Sequence, residues 1–544
     1  LILELQKWLA NRAHQQILGL LVGGLLARVL IALWLYPGFD EAYYYLYTLH
    51  PDWSYFDHPV LVALTTGFGP WLTGSISQFT LRLGTLILYT GSLIFLYQTG
   101  AFLFNQRAAR LTLAIASMAP IFLIGFGLLT LPDSPLMFFW ALCLYVTAHE
   151  FFRQPDAYCP SYRLAIIGLV VGLACLGKYH GFVLGVGLIG FCLTNRRYRP
   201  ALASPWTGLG FGLFLIAIGP ILFWNAQHEW ISIRFQSARG VPDGGYNLLE
   251  VIGTFLTGVL YLFPTIGIPL WWVSLKTLWQ NLSSKWNKKN ALRLDTATIA
   301  HLPDKQSLIL WLSLPLILGF AFVSGYTQVL PTWQIPGFWT ATLLLGQQAA
   351  ERQRRSPRLI RRWLVGSALV IVTILAIALS HIAAGTFQKP GQYALLGGFL
   401  PPSADASVQL IDIQQLRQGF VQSPELMAAL KNTDFVFTNR YYLAGQVAMA
   451  IMPLEPKPIT CFDRDLRGLA FWSKADQWVG QDALYITTRQ FQKRQSLLAL
   501  YQSYFESMQE IGAIPIRRGG TVTEVFFIYQ AKKLLKPYPR RYGV

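Results

Sequence analysis

Two neighbouring carboxylates, Asp40 and Glu41, open the run DEAYYYLY. Adjacent carboxylates repel, which raises one pKa toward that of a general base. An Asp ahead of an aromatic stretch also serves as the N-cap of an interfacial helix. Asp133 stands between two prolines in LLTLPDSPL, either as a helix cap or as a second carboxylate. Lys178 and His180 sit in GKYHGF. The lysine there suits a phosphate or carboxylate partner, or snorkels from a helix end. His228 beside Glu229 offers, with a distant acid such as Asp57, a site for a divalent metal; a lone histidine otherwise serves as a hydrogen-bonding group. Arg234 and Arg239 follow in the same segment, placed to grip a phosphate bidentately or to neutralise nearby acids. Arg28 lies inside an apolar run, which makes it a functional candidate or one half of a buried pair.

The elements that must hold these residues are membrane helices. Of 544 residues, 53% are hydrophobic and 13% charged, against about 25% charged in ordinary soluble proteins. Mean hydropathy is +0.40. Disorder, collagen, coiled coil and a disulfide scaffold are excluded. A bilayer-spanning helix needs about 20 apolar residues. Eleven runs are expected to span: roughly 17–36, 79–104, 107–128, 135–152, 163–177, 181–194, 207–225, 248–275, 307–325, 335–350 and 363–384. With the first residues taken as inside, the inside segments hold 21 lysines and arginines. They include Lys7, Arg107, Arg110, Lys288, Lys289, Arg293 and the arginines of 352–362, whereas the outside loops hold four: Arg82, Lys178, Arg234 and Arg239. That bias makes the inside the cytoplasm. It also accounts for the net charge of +18 without a nucleic-acid partner. No small-residue cleavage site follows the first run, so that helix is expected to be retained.

Residues 1–384 thus read as the membrane domain, with a long first outside loop at 37–78. After Ala384 short apolar runs replace long ones. DFVFT, PITCF, ALYIT and EVFFIYQA read as strands, and 441–452 and 490–508 as amphipathic stretches. Residues 385–544 are therefore expected to form an external α/β domain, in which nothing demands catalysis. Cys461 is the one cysteine outside the membrane half, so no disulfide is expected there. Asp40, Asp133, Lys178 and Arg234 come from four segments and fall on one membrane face. That geometry fits a reaction between a lipid-phosphate-linked donor and an external acceptor.

The same segments carry a resemblance. DEAYYYLY, YFDHPVLVAL, LPDSPLMFFWALCLY, GKYHGF, WNAQHEWISIRFQ, PTWQIPGFW and NRYYLAGQVAMAIM look like bacterial members of glycosyltransferase family 39. That is the family of the protein O-mannosyltransferases, close to the lipid A aminoarabinose transferases. The resemblance implies a GT-C fold and an active site facing the periplasm of a bacterial inner membrane. It implies a polyprenyl-phosphate-linked sugar as donor, transferred with inversion to a hydroxyl or phosphate. It makes Asp40 the central carboxylate, with Glu41 in support and Asp133 as the second acid. Lys178 and Arg234, with His58 and His180, would hold the donor phosphate. Asp57 and His228 would hold a divalent metal, if one is used. HPV at 58–60 stands where HPP is usual, and the tail is short for an acceptor-recruiting domain, which leaves the acceptor open. A secondary transporter is the rival from another class. It would place ionisable residues near the midplane in related halves, whereas these cluster at one face without an internal repeat. A non-enzymatic scaffold leaves the clustered carboxylates unexplained.

Overall fold

A computed structural model describes residues 11–154, 157–239, 244–286 and 301–543. Lys7, Lys288, Lys289 and Arg293, counted above for topology, lie outside them. Helix α1 (Arg12–Trp34) begins where the Asn11 side chain accepts the Ala13 N–H. Two shorter helices, α2 (Phe39–Leu49) and α3 (Leu61–Thr73), occupy the first outside segment. Then come α4 (Gln78–Leu103), α5 (Gln106–Met118), a π-helical turn at Ile121–Phe126, α6 (Asp133–Phe152), α7 (Arg163–Gly177), α8 (Phe182–Thr194) and α9 (Pro205–Gln227). The membrane half closes with α10 (Ile231–Ala238), α11 (Leu248–Leu262), α12 (Pro264–Trp286), α13 (Leu302–Trp311), α14 (Leu314–Val323), α15 (Ile335–Arg355) and α16 (Pro357–Ala384).

Among the described residues six helices are long and apolar enough to cross a membrane, or seven if a bent pair is one span. The sequence has eleven apolar runs, and for four of the five that do not count the cause is local; the fifth, 335–350, forms α15, which ends in three arginines. The run 107–128 breaks at Ala119 and Pro120. The run 248–275 bends by 119° between α11 and α12, where Phe263 is left-handed ahead of Pro264. Helices α7 and α8 are apolar but short. The fully buried Trp140, Trp339 and Phe122 lie in the core of the bundle. Helices α7 and α9 touch backbone to backbone, since a Cβ on Gly168 would lie 2.1 Å from the Gly210 carbonyl oxygen.

Beyond Ala384 the chain forms a five-stranded sheet, with helices, in the order β2-β1-β3-β5-β4. The strands are β1 (Phe435–Thr438), β2 (Ile459–Cys461), β3 (Ala483–Thr488), β4 (Phe505–Arg518) and β5 (Thr521–Leu534). β1 is parallel to β2 and β3, and β5 is antiparallel to β3 and β4. Four strands coincide with the four apolar runs. β4 has no counterpart among those runs: it is an edge strand, largely exposed over its first half, with register shifts at Glu510/Gly512 and Ile516/Arg517, so its alternation is blurred. Helices α17 (Ile413–Gln422), α18 (Pro424–Lys431) and α19 (Tyr441–Ile451) join this sheet to the membrane half. Ala42, Tyr43 and Tyr47 of α2 share one apolar core with Leu443 and Val447 of α19 and Phe526 of β5. The approach of α19 to α2 requires glycine: a Cβ on Gly445 would lie 2.2 Å from the Ala42 carbonyl oxygen. The tail is therefore the roof over α2.

Candidate active site

Glu41, the third residue of α2, is wholly buried and engaged. Arg82 of α4 donates to it twice, Nε to Oε1 at 2.8 Å and Nη2 to Oε2 at 2.7 Å. The Thr130 N–H donates to Oε1 and the Gly38 N–H to Oε2, each at 3.0 Å. Arg82 also donates through Nη1 to the Leu35 carbonyl at 2.7 Å, at the end of α1 where carbonyls lack helical partners. One carboxylate thus ties the end of α1, the start of α2, α4 and the turn before α6. With four donors on its two oxygens it is committed to holding these elements together, so the supporting catalytic role expected of Glu41 becomes a positioning one.

Asp40 is the opposite case. Among the described residues nothing hydrogen-bonds its carboxylate. Burial, then the nearby Asp57 carboxylate, push its pKa up to about 6 against the pull of Arg467. Successive helical residues do not share a face, so α2 sends one acid into the protein and leaves its neighbour unengaged.

Asp57 lies in the bend before α3. Tyr47 and Tyr43 donate their hydroxyls to its Oδ1, and Arg467 Nη1 pairs with its Oδ2 at 3.2 Å. Arg467 comes from the tail, where the sequence gives no reason to expect a functional residue. Its backbone is left-handed, with φ of 50°. Its N–H donates to the Tyr542 hydroxyl at 3.0 Å, and its guanidinium lies over the Phe235 and Tyr441 rings at 5.0 and 4.9 Å. The Gly468 N–H donates to Tyr43 Oη at 2.9 Å. No short motif marks this arginine. The usable hint is RDLRG, a charged run in a domain where nothing else demands catalysis.

Asp133 and Lys178 satisfy each other. Lys178 Nζ donates to Asp133 Oδ1 at 2.8 Å and Oδ2 at 2.9 Å, in a pair largely removed from water. Asp133 is thus not a free second carboxylate. Lys178 also lines a cavity of about 540 Å³ with His58, His180, Arg239 and Trp333. Both histidines are half-buried, and the buried Nδ1 of each has no partner among the described residues. Burial, first of all, lowers the pKa of His58 to about 3 and that of His180 well below the ordinary value. They are neutral donors, not cations. The second cation of the cavity is Arg239, stacked 5.1 Å over Trp333. Arg234 does not line it: its side chain is 59% exposed and meets Glu229 at 3.5 Å.

The expected metal pair is not assembled. His228 Nδ1 is bonded to the Trp224 carbonyl at 2.8 Å, and its ring stacks on Trp224 at 4.0 Å. Both oxygens of Asp57 are engaged, one by a guanidinium that a cation would have to displace. Among the described residues no three His, Cys, Asp or Glu are grouped to hold a metal. These residues do not fit a metal as they stand.

An apolar groove of about 350 Å³ runs between α7, α8 and α9. Phe182 and Phe214 line both it and the cavity, so an apolar path leads along the bundle to the cations.

Residues 57–224 match the family model described as dolichyl-phosphate-mannose-protein mannosyltransferase. A lipid A galacturonosyltransferase, RgtD of Rhizobium johnstonii, is 23% identical over 314 residues, 56% of this chain. The matched part spans 59% of that relative's length. The apo crystal structure of ArnT from Cupriavidus metallidurans superposes with a TM-score of 0.56 at 14% identity, over 95% of this chain and 98% of that one. The same protein bound to undecaprenyl phosphate gives 0.54 at 15% identity, over 94% and 97%. The architecture, a multi-helix membrane half roofed by a small mixed domain, is shared almost end to end.

Proposed function

We propose that this chain, a protein of GT-C fold resembling glycosyltransferase family 39, is an integral-membrane transferase. It moves a sugar from polyprenyl phosphate to an acceptor on the outer face of a bacterial inner membrane. The observation that carries the reading is the contrast at the start of α2: Glu41 saturated by four donors, Asp40 unengaged with a pKa near 6 and within electrostatic reach of Lys178, which lines a cavity with Arg239. The carrier lipid in the Cupriavidus structure, undecaprenyl phosphate, and the sugar transfer named for RgtD support the donor class. The bias of basic residues supports the sidedness.

The polyprenyl chain lies in the groove past Phe214 and Phe182, which brings its phosphate to Arg239 and Lys178. The acceptor hydroxyl approaches from beneath the tail. As its oxygen attacks the anomeric carbon, Asp40 takes the proton. The bond from the anomeric carbon to the phosphate oxygen breaks, its electron pair leaves with the polyprenyl phosphate, and configuration inverts. Arg239 and Lys178 stabilise the charge that develops on that phosphate. Asp133 keeps Lys178 in place until the donor arrives and shares it afterwards. His58 and His180, being neutral, each supply one N–H to a phosphate oxygen without adding charge. Arg467 holds Asp57, and so the floor of the site. No step is assigned to a metal.

Purified protein in liposomes, given polyprenyl phosphate carrying a labelled sugar and membrane extract as acceptor source, tests this. Release of free polyprenyl phosphate together with label on a new acceptor is expected. Uptake of a free solute with the donor intact would make the protein a transporter and overturn the reading.

A further inference from the structure

A second charged cavity lies at the other end of the bundle. It measures about 730 Å³ and opens between Gln16, Gly19 and Leu20 of α1, Arg107, Arg110, Leu111 and Ala114 of α5, and the turn from α15 to α16 at Gln353 and Pro357. Gln16 is 18 residues before Trp34, roughly 27 Å along the helix, so the cavity sits at the opposite membrane face from Asp40. Arg110 Nη1 donates to Gln16 Oε1 at 3.1 Å. Among the described residues Arg107 has no hydrogen bond or ion pair. Among the described residues no acid lines the cavity, and the nearby Arg352, Arg354 and Arg355 in the last turn of α15 have no carboxylate partner. Leu20, Leu111 and Ala114 give the cleft an apolar floor. A Cβ on Gly19 would meet nothing within 4 Å, so the wall of α1 is open there.

We propose that this cleft binds the headgroup of an anionic phospholipid from the cytoplasmic leaflet, with the phosphate between Arg107 and Arg110 and an acyl chain along Leu20 and Leu111. Three features select that ligand class. Two arginines without acidic partners match a phosphate. A basic mouth between helices on the cytoplasmic side is where acidic headgroups dock. An apolar floor continuous with the bilayer gives a lipid contacts that free phosphate lacks. The site is independent of the sugar-transfer reading, since it lies at the other face and its test reads binding.

The test is native mass spectrometry of the full chain released from detergent containing equal phosphatidylglycerol and phosphatidylcholine. One phosphatidylglycerol is expected to be retained in preference to phosphatidylcholine. R107Q/R110Q should weaken that retention by roughly tenfold or more. Gly19→Leu keeps every charge but fills the cleft, and should weaken it comparably. R354Q/R355Q, outside the cleft, should change it less than about twofold. Millimolar inorganic phosphate should not displace the lipid. Equal retention of the two lipids, undiminished retention in Gly19→Leu, an equal loss in R354Q/R355Q, or displacement by phosphate would overturn the proposal. If R107Q/R110Q fails to fold, Gly19→Leu, where a Cβ meets nothing, decides alone.

Discussion

Replacing Asp40 by Asn should abolish transfer and stabilise the protein. The carboxyl's pKa rises from 3.8 to about 6 in the folded state, and a shift of that size costs about 3 kcal/mol once the group is ionised. The sign follows from the direction. A raised acid pKa leaves stability intact below the unfolded value, near pH 4, and lowers it progressively up to pH 6, above which the loss is complete. The amide of the variant carries no charge and escapes that loss. The variant should therefore unfold at a higher temperature than wild type at pH 8, by a few degrees, with the gap closing near pH 4. Transfer by wild type should rise with pH through about 6 and then level, because the base must be ionised. The assays are unfolding of purified protein in detergent, followed by intrinsic tryptophan fluorescence, and release of polyprenyl phosphate across the same pH range. A variant that keeps wild-type turnover, or one less stable than wild type at pH 8, would refute the assignment of Asp40 as the unengaged base.

Glu41→Gln should do the reverse: it leaves the Arg82 guanidinium buried without its counter-charge, a loss of about 3–5 kcal/mol, visible as a lowered unfolding temperature. Arg467→Ala should cut turnover at least about tenfold by leaving Asp57 buried and unpaired, while Arg464→Ala, on the exposed side of the same loop, should not; equal rates in the two variants would separate the tail from catalysis. Arg239→Ala should raise the donor KM by roughly tenfold or more, whereas Arg234→Ala, which breaks a surface pair worth at most about 1 kcal/mol, should leave it nearly unchanged. Chelation with EDTA should leave turnover unaltered, because the Arg467 guanidinium already holds the Asp57 oxygen that a cation would need; a loss restored by one added divalent ion would contradict that.

What the sequence discloses follows from the range of the interactions involved. The unbroken apolar helices and four of five strands are local or periodic signals, and those elements are found where the signals lie. The DE pair is visible, but its division of labour needs one further step: adjacent helical residues diverge by about 100°, so both acids cannot serve one site. Glu41 finds Arg82 41 positions away, a separation that leaves no trace in either local pattern. Arg234 and Arg239 look equivalent in sequence because both follow the same span. One faces solvent beside Glu229 and the other stacks on Trp333, from a segment almost a hundred residues later. The broken runs at 107–128 and 248–275 are apolar throughout, and composition does not record a bend of 119°.

The ion pair between Asp57 and Arg467 joins residues 410 positions apart. Synthesis at about 5–20 residues per second leaves roughly 20 to 80 s between the appearance of the two. Through that interval the first loop is complete in sequence, yet Asp57 lacks its counter-charge and Ala42 lacks Gly445 against it. The emerging chain therefore enters the bilayer with α2 unroofed, and on the proposed mechanism an abortive product that stops short of the tail should not turn over. Arrival of the tail sheet is the step that supplies both contacts.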